Sequence, residues 1–396
     1  MSEEIKRGLE GVLVAESSLS HVDGEAGALI YRGYSIGELA EETSFEEVLY
    51  LLWHGTLPDA DELGAFRAAM AEERHLDEGV VELIRELAAA DEEPMAAVRT
   101  VVSTLSAYDP DATPETDPTD LEANLRKGRR ITAKIPTALA AFTRLRNGDD
   151  PVDPREDLSH AANFLYMLND EEPDDVSADI FDMALVLHAD HGLNASTFAA
   201  RVTSSTLSDL HAAVTSAVGA LSGSLHGGAN QDVMEMLLEV DDSDKDPLVW
   251  IEDAIENGRR IPGFGHRVYD VKDPRAYILA EHSKALSEAS EAKWYDYSTA
   301  IEDHLVEQKG IAPNVDFYSA SMYYQMGIPI DIYTPIFVMS RVGGWIAHTL
   351  EQYDDNRLIR PRARYVGERD RTVPPIDERE KRHSLSIGLV SAHSHR

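Results

Sequence analysis

The chain predicts an all-α fold with one short N-terminal β-hairpin, on three observations. Apolar residues recur at helical spacing in stretch after stretch. Capping residues and proline- or acid-rich breaks punctuate those stretches. Strands and helices nowhere alternate, which argues against a doubly wound sheet. At 396 residues there is room for two domains or more, at roughly 100–200 residues each. The 43% hydrophobic content supplies ample material for a core.

The hairpin is read over residues 11–34, where VLVAES and GALIYRG flank the turn DGEAG. SFEEVLYLLWHG then predicts a helix with Ser44 as N-cap, Glu47 as its capping-box partner and Gly55 as its stop. PTALAAFTRLRNG predicts a second helix, with Pro136 near the start and Gly148 near the end. Helical periodicity continues at 177–191, 207–222, 229–239, 275–289 and 297–308. The stretch 334–353 is nearly all apolar until Arg341 and predicts a buried helix. Loops are expected at 108–120, 147–156, 169–177 and 240–247, where proline and acids cluster. No internal repeat is present.

The charge balance is extreme, with 36 basic against 72 acidic residues and a formal net charge of −36. Only 9 of the basic residues are Lys; 27 are Arg. Acids spread through loops and helix faces form a coat that stays soluble where salt screens its repulsion, as in a halophile's cytoplasmic protein. Such a surface is a poor partner for nucleic acid, which needs a basic footprint. The absence of Cys excludes disulfides, thiolate metal sites and a cysteine nucleophile. MSEEIKRGLEG has no secretory h-region, and no stretch approaches 18 apolar residues. A cytoplasmic protein with no membrane partner is expected.

Several passages carry chemistry. LHADHGLNAS sets His188 and His191 three apart at a helix end, on one face. A metal pair, a core or capping role and a substrate-facing role all remain open there; H-E-x-x-H spacing and a third ligand are missing. SLHGGANQ places His226 before two glycines, where a ligand could approach the backbone or where the chain simply turns. IPGFGHRVYDVKDPRA holds His266 on a glycine loop, but a dinucleotide fingerprint lacks its strand and third glycine. Arg275 then opens a helix, unfavourably for the dipole, and a carboxylate ligand across that end would offset the cost. In NVDFYSA, Asp316 lies between Val315 and Phe317, as an N-cap or as a general base with a raised pKa. Arg341 in its apolar helix needs an anionic partner, and Arg360 precedes a proline. Three guanidinium groups suit a substrate with more than one carboxylate. The His and Asp groups suit proton abstraction beside a carbonyl and stabilisation of the resulting enolate.

These motifs, in this order, resemble the citrate synthase family over nearly the full length. The opening segment GLEGVLVAESSLSHVDGEAGALIYRGYSIGELAEETSFEEVLYLLWHGTLP joins LHADHGLNAS, SLHGGANQ, GFGHRVYDVKDPRA, NVDFYSA and GGWIAH…RPRARYVG in the likeness. The resemblance implies a large helical domain, 1–225 and 325–396, interrupted by a small one, 226–324, that closes over oxaloacetate. It implies that His226 hydrogen-bonds the acetyl carbonyl of acetyl-CoA, Asp316 removes a methyl proton and His266 polarises the oxaloacetate ketone. His191, Arg275 and Arg341 would hold carboxylates, with Arg360 reaching in from the other subunit of a homodimer. Leu225, Ile261, Gly263, Phe264, Gly265 and Asn314 would line the CoA path. Acetyl-CoA is then a co-substrate, with no metal and no tightly held cofactor.

Relatives often carry a basic residue four positions after the loop histidine, where it meets a CoA phosphate; here that position is Asp270. Arg267, Lys272 and Lys309 are the substitutes considered. Citrate formation in the tricarboxylic acid cycle is the expected activity, with 2-methylcitrate synthase, using propionyl-CoA, as the alternative. A catalytically silent scaffold is disfavoured by the intact His226, His266, Asp316 and arginines, and a nucleotide-binding module is weaker still.

Overall fold

Sixteen α-helices and one three-stranded sheet make up the described residues. The structure, a computed structural model, describes residues 5–379 other than 244, 266, 267, 270 and 291, without the side chains of 289 and 378. His266, Arg267 and Asp270 therefore lie outside the described residues. In chain order the helices are α1 (Ile36–Glu42), α2 (Phe45–His54), α3 (Ala60–Glu72), α4 (Glu78–Ala89), α5 (Pro94–Leu105) and α6 (Leu121–Asn147). Then come α7 (His160–Asn169), α8 (Asp175–His188), α9 (Ala195–Ser204), α10 (Leu210–Leu221) and α11 (Ala229–Asp242). The last are α12 (Pro247–Glu256), α13 (Pro274–Ser290), α14 (Trp294–Lys309), α15 (Val315–Gln325) and α16 (Tyr333–Asp354). The fold is all-α.

The sheet is antiparallel, with β1 (Ser20–Asp23), β2 (Ala28–Tyr31) and β3 (Tyr34–Ser35) in that order. The turn falls where DGEAG predicts it, because the Asp23 carboxylate accepts from the N–H groups of Glu25 and Ala26. The first strand, however, is not VLVAES. Ser20 pairs with Tyr31 and Asp23 with Ala28, so the strand starts after that apolar run. Residues 12–17 have no partner strand, and Leu13 lies 97% exposed.

Local signals explain most helix ends. The capping box of α2 is formed as expected: Ser44 N–H donates to Glu47 at 2.8 Å and Glu47 N–H to Ser44 Oγ at 3.4 Å. Gly55 closes the helix with φ of 88°. Pro136 is a correction: it lies inside α6, which starts fifteen residues earlier behind the N-cap Asp120. Every residue from Ile135 to Thr143 on that helix is buried. Packing on all sides keeps the chain helical through a residue that removes one hydrogen bond.

Helix α16 is the centre of the core. It packs against α2, α6, α8, α9 and α10, and nineteen of its residues are buried. Each large apolar side chain enclosed there contributes about 1.5–3 kcal/mol. Gly344 allows the closest approach: a Cβ at that position would collide with the carbonyl of Ala189 and lie 2.5 Å from Asp190 Oδ1. That contact seats the end of α8 directly on α16. Helices α11 and α13 pack on α15, while α12 packs on α14.

The chain divides into two compact units, Met1–Ile359 and Arg360–Arg396. Within the second, the described residues are irregular apart from a 3-10 turn at Ile376–Glu378. Tyr365 donates to the Glu368 carbonyl at 2.8 Å, and Arg371 pairs with the Glu368 carboxylate.

Candidate active site

The segment after α8 is fastened on every side. His188 faces Ala184 O through Nδ1 at 2.7 Å, so Nδ1 carries the proton, and its ring packs edge-on against Phe337. Burial, reinforced by Arg275, drops its pKa to about 3. His188 is therefore a neutral core histidine. Asp190 is fully buried; it accepts from Ser20 Oγ and, at 3.2 Å, from the N–H of Gly192. His348 Nε2 lies 3.2 Å from its other oxygen. The Asp190 backbone is held too: Tyr31 donates to its carbonyl at 2.7 Å and accepts from its N–H at 3.1 Å. Desolvation opposes ionisation of Asp190, yet His348 and Arg341 hold it below the usual carboxylate range. His191 points elsewhere, with Nε2 3.2 Å from the hydroxyl of Tyr269. The two histidines three apart do not face one ligand.

Arg341, 2% exposed on α16, donates from Nε to His188 O at 2.7 Å and stacks over Phe337 at 4.6 Å. No carboxylate among the described residues lies within ion-pair distance of it. Burial pulls its pKa down to about 10, with Asp190 acting against that. It stays charged at neutral pH, a buried cation compensated only at a distance. Arg275 differs. Asp273 Oδ1 accepts from its backbone N–H and from Nε, both at 3.0 Å, and Oδ2 accepts from Nη2 at 2.7 Å. The charge at the start of α13 is thus offset by Asp273, a residue of the chain itself two positions earlier. Desolvation of the guanidinium is outweighed by this pair, and its pKa rises.

His226 follows α10 in a tight turn. A Cβ at Gly227 would strike the carbonyl of Leu221, and Gly228 has φ of 94°. The N–H of Ser196 donates to His226 Nε2 at 3.2 Å, and Ser196 Oγ stands 2.8 Å away. Ser196 is fixed in turn by Asn194, the N-cap of α9, and by Trp345 Nε1 at 3.1 Å. Burial, with Arg341 adding, lowers His226 to about 4. The ring is neutral, with Nε2 an acceptor and the proton on Nδ1.

Asp316 lies in the first turn of α15. Its N-cap is Asn314, whose side chain accepts from Asp316 N–H at 3.0 Å; Asp316 is therefore not the cap. Asn314 Nδ2 also donates to Gly265 O at 3.0 Å, and its backbone N–H to Gly263 O at 2.9 Å. Phe264 bridges to Pro313, so the glycine loop is laid along the N-terminus of α15. The Asp316 carboxylate receives no hydrogen bond from the described residues. Desolvation raises it to about 6, against the pull of Arg275 and Arg341. Arg341 is the common neighbour, since its charge acts on His226 and on Asp316 alike.

Such a set, a base of raised pKa, a neutral imidazole of fixed tautomer and buried guanidinium groups, suits carbon-acid chemistry on an anionic substrate. The "Citrate synthase, C-terminal domain" family model matches residues 8–362. The chain belongs to the citrate synthase family. It is 67% identical over 380 residues to the citrate synthase of Haloferax volcanii, covering 96% of this chain and all of that one. It is 41% identical to 2-methylcitrate synthase 2 of Corynebacterium glutamicum, covering 95% and 98%. Among solved structures, citrate synthase from Thermoplasma acidophilum in a ternary complex with carboxymethyl coenzyme A and oxaloacetate superposes with a TM-score of 0.87. That pair is 33% identical, with 96% of this chain and all of the other covered.

For the family's CoA path, Ile261 and Phe264 are buried, Phe264 against Phe317 with ring centres 4.5 Å apart. Gly263 and Gly265 both have φ of 77°, as a turn of this kind requires. Leu225 is 97% exposed. Lys272 is committed to Glu302 at 2.5 Å and lies over the rings of Tyr277 and Tyr318. Lys309 is exposed at the end of α14. Arg360 belongs to the second unit. Sequence reasoning missed Ser196, Asp190, Asp273, Tyr269 and His348. Four of them sit inside those motifs, and His348 ends GGWIAH. Asp273 meets Arg275 two residues on, whereas the roles of the other four emerge only from partners distant in the chain.

Proposed function

We propose that the protein condenses acetyl-CoA with oxaloacetate and hydrolyses citryl-CoA to citrate and CoA. The setting of Asp316 carries this reading: a carboxylate that receives no hydrogen bond from the described residues, raised by burial, within the field of two guanidinium groups. Asp316 takes a proton from the acetyl methyl group. His226, donating from Nδ1, hydrogen-bonds the thioester oxygen as it gains enolate character. The methyl carbon then attacks the ketone carbon of oxaloacetate, whose oxygen His266 polarises and protonates. Water cleaves the thioester, releasing CoA as the thiol.

His191, Arg275 and Arg341 hold the oxaloacetate carboxylates. Arg275 keeps Nη1 for this purpose, since Asp273 occupies Nε and Nη2, and Arg341 contributes a charge that has no ion-pair partner among the described residues. The partner subunit's Arg360 completes the site of a homodimer. Leu225, Ile261, Gly263, Phe264, Gly265 and Asn314 form the CoA path. Arg267 and Lys309 remain as its phosphate contacts, with Lys272 the least suited because Glu302 already meets it.

The domain 226–324 closes over oxaloacetate, with hinges at Gly227–Gly228 and at Gly327, which have left-handed or tightly packed backbones. Closure excludes water until citryl-CoA exists. The acidic surface and the Haloferax relative support a halophilic, cytoplasmic enzyme of the tricarboxylic acid cycle. Propionyl-CoA, giving 2-methylcitrate, differs by one methylene, worth about 1–3 kcal/mol of discrimination; the higher identity to a citrate synthase favours acetyl-CoA. Thiol release with oxaloacetate and each thioester tests the reading. Faster release with acetyl-CoA is expected; no release with either overturns it.

A further inference from the structure

The N-terminal sheet touches the candidate site at two places. At the end of β2, Tyr31 holds the backbone of Asp190, and Ser20 on β1 holds the Asp190 carboxylate. At the opposite end, the hairpin turn lies against Val268 and Val271. A Cβ on Gly24 would collide with the carbonyl oxygen of Val268, and one on Gly27 would lie 2.7 Å from Val271 Cγ2. Between these contacts the Tyr269 hydroxyl meets His191 Nε2, with the rings edge-on and 5.6 Å apart.

Gly24 is informative because its backbone is not left-handed, unlike that of Gly27 at φ of 64°. Turn geometry does not demand a glycine there; the approach of Val268 does. One short sheet thus contacts both the segment that carries His191 and the segment that leads to Asp273 and Arg275.

We propose that the turn Gly24–Gly27 is a seat for Val268 and Val271, and that seating fixes Tyr269 against His191 and holds the oxaloacetate groups in register. This rests on the reading that 226–324 closes over oxaloacetate. The hairpin turn is then the receiving side of that closure and a positioning element for the reaction. It touches neither substrate nor reacting atoms. Filling the seat lowers the fraction of closed protein, and the apparent affinity for oxaloacetate falls by that fraction.

Size complementation tests the seat on the full-length protein. Gly24→Ala is expected to lower kcat/KM for oxaloacetate about tenfold or more with a near wild-type Tm. Gly27→Ala should lower both kcat/KM and Tm, since alanine is strained at its φ. Adding Val271→Ala to Gly27→Ala should restore kcat/KM while the Tm loss remains. Gly33→Ala is the control: its φ of 96° makes it strained, but a Cβ there meets nothing, so only Tm should fall. Wild-type kcat/KM in Gly24→Ala and Gly27→Ala overturns the seat. So does a double variant that stays impaired while Gly33→Ala is equally impaired. If the wild-type protein releases no CoA, the enzymatic reading fails instead. Amide exchange at Val268, Tyr269 and Val271 then decides the seat: faster exchange in Gly24→Ala supports it, and unchanged exchange overturns it.

Discussion

The backbone N–H of Ser196 donates to Nε2 of His226 across 3.2 Å. A backbone donor cannot be removed by changing the side chain, so the tautomer of His226 is written into the main chain of α9. Ser196→Ala should therefore lower kcat far less than His226→Ala does. It should still destabilise the fold by about 1–3 kcal/mol, because Trp345 Nε1 loses a buried acceptor. Steady-state kinetics and urea unfolding of both variants check the contrast.

Asp316→Asn should lose about 10²–10⁴-fold in kcat while oxaloacetate still binds in a calorimetric titration. It should also be more stable than wild type at pH 7. The folded carboxyl, raised to about 6, binds its proton more tightly than the unfolded one. Its stabilising contribution is thus complete below the unfolded pKa and is lost as pH rises through about 6. The substitution removes a burden of up to about 3 kcal/mol, visible as a higher Tm. Lost oxaloacetate binding would mark a structural aspartate instead.

Activity should fall on the acid side as this carboxyl protonates. Turnover should drop about tenfold per pH unit once pH is below about 6. A pH–rate profile of wild type checks it, and an acid limb well below pH 5 would remove Asp316 as the base.

His160 and His188, both held at about 3 by burial, predict acid sensitivity of the fold. Their folded pKa values lie below the unfolded one, so the unfolded chain binds more protons as pH drops below about 6.5. Stability should fall by about 3 kcal/mol per pH unit between about 6 and 4 from these two alone. Asp316, raised to about 6, and Asp182, also raised, act in the opposite sense across that same range, so the measured slope is what remains after their contribution. Urea midpoints measured against pH test the slope, with His188→Gln expected to flatten it.

Removing salt should unfold the protein or dissociate the proposed homodimer. A formal net charge of −36 is screened over roughly 3 Å at 1 M salt but over about 30 Å at 0.01 M. Sedimentation at the two concentrations reads the outcome, and an unchanged particle in dilute buffer contradicts a salt-dependent design.

Pro136 and Ser44 show what sequence can and cannot decide. The Ser44–Glu47 box is a local interaction, and it forms as the spacing says. Pro136 looked like a helix start because its local preference is real. Burial along α6 overrode it, and burial is a property of neighbours far along the chain. The run at 12–14 failed as a strand for the same reason: it has strand-forming residues but no partner.

Residues 188–192, 226, 275, 316 and 341 were legible as chemistry because polar groups in apolar or glycine-rich surroundings demand a reason. Composition and periodicity by themselves determined the all-α class, the acidic surface and the motif order, all of which depend on local or summed properties. Geometry chose Asp273 rather than a ligand to neutralise Arg275 and Asn314 rather than Asp316 to cap α15, although each partner stands only two residues away. Tertiary structure alone joined Ser196 to His226 and Ser20 to Asp190, 30 and 170 residues apart. It also decided that Arg341 has no ion-pair partner among the described residues. Each of these is a matter of distance in a low-dielectric interior, where an ångström settles which charges are compensated, and a linear order of residues does not contain that distance.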